Sequence, residues 1–95
     1  MDTCRQAHHS NEFKQSLVKR LDKIEGQIRG IKKMILEDRY CDHILNQLTA
    51  VRSALAGVQE QLLAGHMQTC VLDQLKKGDL EVIQELTTTV RRMVK

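Results

Sequence analysis

The chain contains no tryptophan and no proline, and its only aromatic residues are Phe13 and Tyr40. So few rings exclude a surface that binds single-stranded nucleic acid by stacking bases on aromatic side chains. Without proline, the long periodic stretches are free to run as helices. No apolar run approaches the ~20 residues of a membrane span, and no charged-then-apolar signal peptide opens the chain. We therefore expect a cytoplasmic protein with no membrane partner. In that reducing compartment three cysteines favour thiol or metal chemistry over a disulfide framework. No paired-carboxylate cleft and no nucleophile–base–orienter set points to an enzyme.

What the chain does have is helix-forming material. Leu, Ile and Val carry its apolar content, and Lys, Glu, Gln, Arg and Ala fill the rest, which reads as all-α. Ninety-five residues make one small domain, near the size where a single core is marginal and oligomerisation helps. Residues 1–10 have no periodicity and read as a flexible arm carrying Cys4, His8 and His9. Residues 11–95 read as a single domain. Ser10 suits a helix N-cap, with Glu12 in the first turn. Phe13, Leu17, Leu21, Ile24, Ile28, Ile31 and Ile35 then repeat with heptad-like spacing and predict a helix over about 11–37. Gly26 and Gly30 lie inside it, where small residues suit close approach of another backbone.

The polar stretch 37–42 breaks that pattern and predicts a turn. A second seam follows, of Ile44, Leu48, Val51, Leu55, Val58 and Leu62, and predicts a helix over about 42–76. Lys76 and Lys77 complement its C-terminal dipole, and Gly78 offers the left-handed position beyond it. Asp79 then caps a third helix, about 80–94. Two seam-bearing helices joined by a short turn form an antiparallel hairpin, and two hairpins complete a four-helix bundle.

The second seam ends unusually. Continued by four and again by four, it reaches His66 and Cys70, where core leucines would be expected. Singly, such a histidine is ordinarily a hydrogen-bonded core residue and such a cysteine a small hydrophobe. As a pair at i and i+4 they project from one face and can grip one ion. Cys41 stands at the other end of the same helix, roughly 37 Å away at about 1.5 Å per residue. It cannot share an ion with His66 and Cys70 of its own chain if the helix is unbroken. An antiparallel second copy brings Cys41 of one chain beside that pair on the other, twice by symmetry. Two thiolates and an imidazole make a soft set that selects Cu(I) or Zn(II). Zn(II) wants a fourth ligand. His9 is the candidate, and its participation favours Ni(II), Co(II) or Zn(II).

Charge is modest in sum, at +3, but uneven. Residues 11–40 carry eight basic groups against five acids, whereas residues 41–75 carry only Arg52 against Asp42, Glu60 and Asp73. A basic first helix repeated over several subunits could make a phosphate-binding surface, although the charge of one chain alone reads first as a solvated helix face.

The segments Arg20–Ile31, Asp38–Asp42, Gln47–Leu55 and His66–Cys70 resemble the copper-sensing operon repressor (CsoR) family, over nearly the whole chain from about residue 10. The resemblance implies an all-α repressor: a three-helix subunit whose hairpins pair into a homodimer and then a homotetramer, a dimer of dimers. It implies that Cys41 binds Cu(I) together with His66 and Cys70 of the partner subunit, and that Tyr40 precedes the first ligand. Glu85 matches a third-helix glutamate that hydrogen-bonds the ligand histidine, provided the Gly78–Asp79 loop is about one residue short; otherwise Glu81 takes that place. His9 matches an arm histidine of nickel and cobalt sensors, which copper sensors also carry. Formaldehyde-sensing relatives have proline after the initiator, where this chain has Asp2. Persulfide-sensing relatives lack the histidine that is present here as His66.

These features together predict derepression. The metal-free tetramer holds double-stranded operator DNA, and Cu(I) releases it. With no helix-turn-helix pattern, the duplex would be read largely through backbone and shape. Arg20, Arg29 and Arg52 are the first candidates for touching the DNA, followed by Lys19, Lys33, Arg91 and Arg92. A copper chaperone or buffer, or a purely structural helical oligomer, are the competing expectations.

Overall fold

The computed structural model describes residues 9–94, and within them every regular element is helical. Cys4 and His8, and with them most of the expected arm, lie outside the described residues. Helix α1, Asn11–Leu36, begins where the Ser10 hydroxyl accepts the Phe13 N–H at 3.1 Å, as a serine N-cap should. Glu12 in its first turn and Lys33 in its last complement the helix dipole. The helix closes through paired bonds, Asp38 N–H to the Ile35 carbonyl (3.2 Å) and Arg39 N–H to the Met34 carbonyl (3.0 Å). This closure is a Schellman motif, and it requires a left-handed residue at position 38. Asp38 adopts it, at φ 55°.

A side chain in that conformation is strained relative to glycine. Asp38→Gly is therefore expected to stabilise the protein by about 0.5–1 kcal/mol. The second helical stop is built the same way around Gly78 (φ 84°), with Gly78 N–H on the Leu75 carbonyl and Asp79 N–H on that of Gln74. There Gly78→Ala should cost about 1 kcal/mol. Urea unfolding of the two variants checks the opposite signs.

Helix α2, Cys41–His66, returns antiparallel to α1, its first turn held by the Tyr40 carbonyl. The hairpin core is Ile24, Ile31 and Val51, with Ile44, Ala54 and Val58 packed against it. Each predicted seam thus divides into two heptad rows. Ile24 and Ile31 face Ile44, Val51 and Val58, whereas Leu21, Ile28 and Ile35 on α1 and Leu48, Leu55 and Leu62 on α2 remain exposed. The three leucines are 41%, 40% and 43% accessible. Gly26 and Gly30 have open space where a side chain would stand, so nothing among the described residues uses their smallness.

The helix expected over 42–76 is not one continuous α-helix. After His66 it widens into a π-helical turn, Met67–Val71, then resumes as α3, Leu72–Lys76. The Leu72 N–H reaches back five residues to the Met67 carbonyl. Within this turn the Thr69 hydroxyl donates to the Gly65 carbonyl at 2.8 Å. Helix α4, Glu81–Met93, follows the Gly78 turn, and the Asp79 carboxylate accepts the Glu81 N–H at 3.1 Å.

The chain divides into two compact units, Ser10–Leu62 and a second that includes residues 63–94. The first is the hairpin. The second buries Cys70, Val71, Gln74 and Val82 and exposes Leu80 just before α4 and Ile83 and Val90 along it. No helix among the described residues is long and apolar enough to cross a membrane.

Candidate metal centre and nucleic-acid interface

Cys41 is the first residue of α2, and its thiol is free and exposed. A shallow apolar groove surrounds it, lined by Ile35, Ile44 and Leu45 with Asp38 and Arg39 at the rim. Tyr40, the preceding residue, is 71% exposed and meets His43 edge to face, with ring centroids 5.4 Å apart. At the far end of the same helix His66 is half-buried, and Cys70, inside the π-helical turn, is only 3% exposed. The Cys70 sulfur is held in a disulfide in this structure. Ligation of a metal requires it as a thiolate, so any metal chemistry here belongs to the reduced protein.

Within one chain the trio does not converge. Helix α2 is unbroken from Cys41 to His66, which at about 1.5 Å per residue sets the two roughly 37 Å apart. Among the described residues no three His, Cys, Asp or Glu side chains come together to hold an ion. His66 and Cys70 stand at i and i+4 across the start of the widened turn. His9 is half-buried just before the Ser10 cap. Glu85 and Glu81 are both exposed on α4.

The donor set fits a soft ion. Two sulfurs and an imidazole carry no oxygen that would suit magnesium or calcium. The exposed apolar groove around Cys41 suits closure by another surface, which would exclude water from the thiolate.

The basic candidates are all exposed: Lys19, Arg20, Arg29 and Lys33 on α1, Arg52 on α2, Arg91 and Arg92 on α4. They differ in surroundings. Arg52 stands four residues after Leu48 and three before Leu55, so it rims the exposed leucine row rather than the outer face of α1. Arg20 is held against α2, where its Nη1 donates to Gln61 Oε1 at 2.6 Å and to the Gly57 carbonyl at 3.4 Å. Gln61 Nε2 in turn donates to Ser16 Oγ at 3.1 Å. Sequence reasoning passed over Gln61 and Ser16. The signal was the turn at 37–40, since folding the hairpin about Asp38–Arg39 sets Ser16 opposite Gln61 and Arg20 opposite Gly57.

An all-α hairpin with soft donors at both ends of one helix and a basic first helix defines a class, the helical metal-responsive regulators of DNA. Residues 13–92 match the family model described as metal-sensitive transcriptional repressor, and the chain belongs to that family, whose members are repressors rather than enzymes. The chain is 43% identical over 89 residues to the copper-sensing transcriptional repressor CsoR of Bacillus subtilis (strain 168), covering 93% of this chain and 88% of the relative. Its fold is similar to the crystal structure of the copper-sensing repressor CsoR with Cu(I) from Geobacillus thermodenitrificans NG80-2, with a TM-score of 0.88, 36% identity and 95% of both chains covered. It is also similar to the nickel-responsive transcriptional regulator InrS, with a TM-score of 0.73 and 42% identity, covering 90% of this chain and 97% of the other.

Proposed function

We propose that this metal-sensing repressor responds to Cu(I), with residues 11–95 acting as one sensing and DNA-binding domain in the cytoplasm. The observation that carries this reading is α2 itself, a continuous helix with a free thiol at its first residue and His66 at its last, four residues before Cys70 in the π-helical turn. An antiparallel homodimer aligns Cys41 of each chain with His66 and Cys70 of the partner subunit. The exposed heptad rows give the apolar surface for that pairing, and two dimers assemble into the tetramer.

Each group then has a task. The Cys41 thiolate supplies a soft donor from one chain; His66 and Cys70 supply a nitrogen and a second sulfur from the other. The second ring nitrogen of His66 needs an acceptor to fix its tautomer. Glu85, or Glu81 in its place, supplies one from α4, and Tyr40 packs beside the first ligand. Ligation thereby ties the end of α2 to α4 and changes how subunits are set against the duplex. By linkage the ion must bind the DNA-free tetramer more tightly than the DNA-bound one, and a coupling of about 1–3 kcal/mol gives release. The basic groups Arg20, Arg29, Arg52, Lys19 and Lys33 hold the operator phosphates in the metal-free form.

The test is a DNA-binding titration of the reduced protein against an operator duplex, adding Cu(I), Ni(II), Co(II) and Zn(II) in turn. Release at one Cu(I) per chain is expected. Binding that no metal alters would defeat the reading. Release by Ni(II), Co(II) or Zn(II), lost on His9→Ala, would support a second reading in which His9 is a fourth ligand; the likeness to a nickel-responsive regulator favours that one next. Cu(I) binding without any DNA affinity would instead describe a copper chaperone or buffer.

A further inference from the structure

A polar clamp joins α1 to α2 inside the hairpin. A guanidinium can only donate, so the 2.6 Å bond from Arg20 Nη1 fixes the Gln61 amide with its oxygen toward Arg20. Its nitrogen is then left for Ser16 Oγ, which accepts it at 3.1 Å. The guanidinium lies against α2 at Gly57, where a Cβ would stand 3.9 and 4.0 Å from Nη1 and Nη2, in ordinary contact. Arg20 also borders a cleft of about 420 Å³ that includes Lys23, Gln27 and Ser53 and no carboxylate. The cleft therefore presents two cations with no acid to offset them. Inside it Gln27 Oε1 is buried with no hydrogen-bond partner.

We propose that Gln61 is a positioning residue for DNA binding. It holds the Arg20 guanidinium against α2 so that the remaining donors, with Lys23 in the same cleft, meet one backbone phosphate of the duplex. This rests on the reading of Arg20 as a DNA-binding residue. The physical gain is preorganisation. A long arginine side chain loses rotamer freedom when it grips a phosphate, and the clamp removes that loss before DNA arrives. Because a phosphate bond carries no sequence information, the effect extends to any duplex.

The test uses the reduced, metal-free full chain and a mixed-sequence duplex, with affinity measured across a series of salt concentrations. Arg20→Ala should weaken binding and lower the salt slope by about 0.9 for each phosphate left without its cation. Gln61→Met keeps side-chain length and the Arg20 charge but removes the acceptor. It should weaken binding roughly threefold to tenfold, the cost of immobilising one long side chain, with the salt slope unchanged. The double variant should bind no more weakly than Arg20→Ala alone, because Gln61 acts only through Arg20. Gln61→Glu should lower affinity and slope together, since its carboxylate neutralises the guanidinium. Wild-type affinity in Gln61→Met overturns the proposal. So do effects that add in the double variant, or a weakening that tracks a changed melting temperature or oligomer mass. If Arg20→Ala binds like the wild type, the DNA role of Arg20 falls and the clamp with it; if only Gln61→Met does, the clamp alone falls.

Discussion

Cys41→Ser and His66→Ala homo-oligomers should each lose Cu(I)-dependent release of DNA, and a mixed oligomer of the two should recover part of it. The loss in each single variant follows from removing one of three donors. It should exceed the roughly 10–100-fold cost in affinity of losing only a hydrogen-bond partner of a ligand. The recovery follows from how α2 is built. Cys41 and His66 occupy opposite ends of one unbroken helix, so a complete trio has to draw on two chains. In a mixed dimer one site loses both its Cys41 and its His66. The other keeps Cys41 from the His66→Ala chain and His66 with Cys70 from the Cys41→Ser chain. Random pairing makes half the dimers mixed, so about a quarter of the wild-type Cu(I) stoichiometry should return. Co-refolded chains titrated with Cu(I) under reductant give the number directly. Reductant matters because the Cys70 sulfur is in a disulfide here. No recovery in the mixture would sink the two-chain site, whatever the single variants do.

The parts of this chain that were legible in sequence are those fixed by residue type and period. Ser10 marked the start of α1 and Gly78 the stop before α4, because a hydroxyl cap and a left-handed glycine each have one obvious use. The Cys41, His66 and Cys70 positions stood out because soft donors occupied the two ends of a helix whose seam is otherwise aliphatic. The π-helical turn was not legible. Residues 66–72 are all compatible with an α-helix, so neither their types nor their spacing marks the extra residue of the turn. Asp38 was hidden for a related reason: an acidic residue stands where a left-handed turn ordinarily takes glycine or asparagine. Gln61 was an ordinary polar residue until the hairpin set it against a partner 41 positions away.

Leu55→Glu should dissociate the oligomer and abolish metal and DNA responses together. The two heptad rows explain why. Ile24, Ile31 and Val51 are covered by the hairpin itself, but Leu48, Leu55 and Leu62 stay 41%, 40% and 43% exposed beside Leu21, Ile28 and Ile35. Finishing the burial of each such side chain is worth roughly 1 kcal/mol, so six of them per chain form a strong reason to pair. A lone carboxylate placed in that row would instead have to be desolvated without a partner, at a cost of several kcal/mol. Sedimentation should then find a species near the 10.9 kDa chain mass. Helical content by circular dichroism should fall as well, because a hairpin with so few buried residues is marginal alone. Leu55→Met is the control: it conserves volume and should cost less than about 1.5 kcal/mol, leaving assembly and Cu(I) binding in place. A Leu55→Glu protein that stays oligomeric and binds one Cu(I) per chain would show that some other face joins the subunits. The ligands would then have to be brought together by a different symmetry. In the antiparallel arrangement no such separation is possible, because the surface that stabilises the dimer runs along the same helix whose two ends hold the ion.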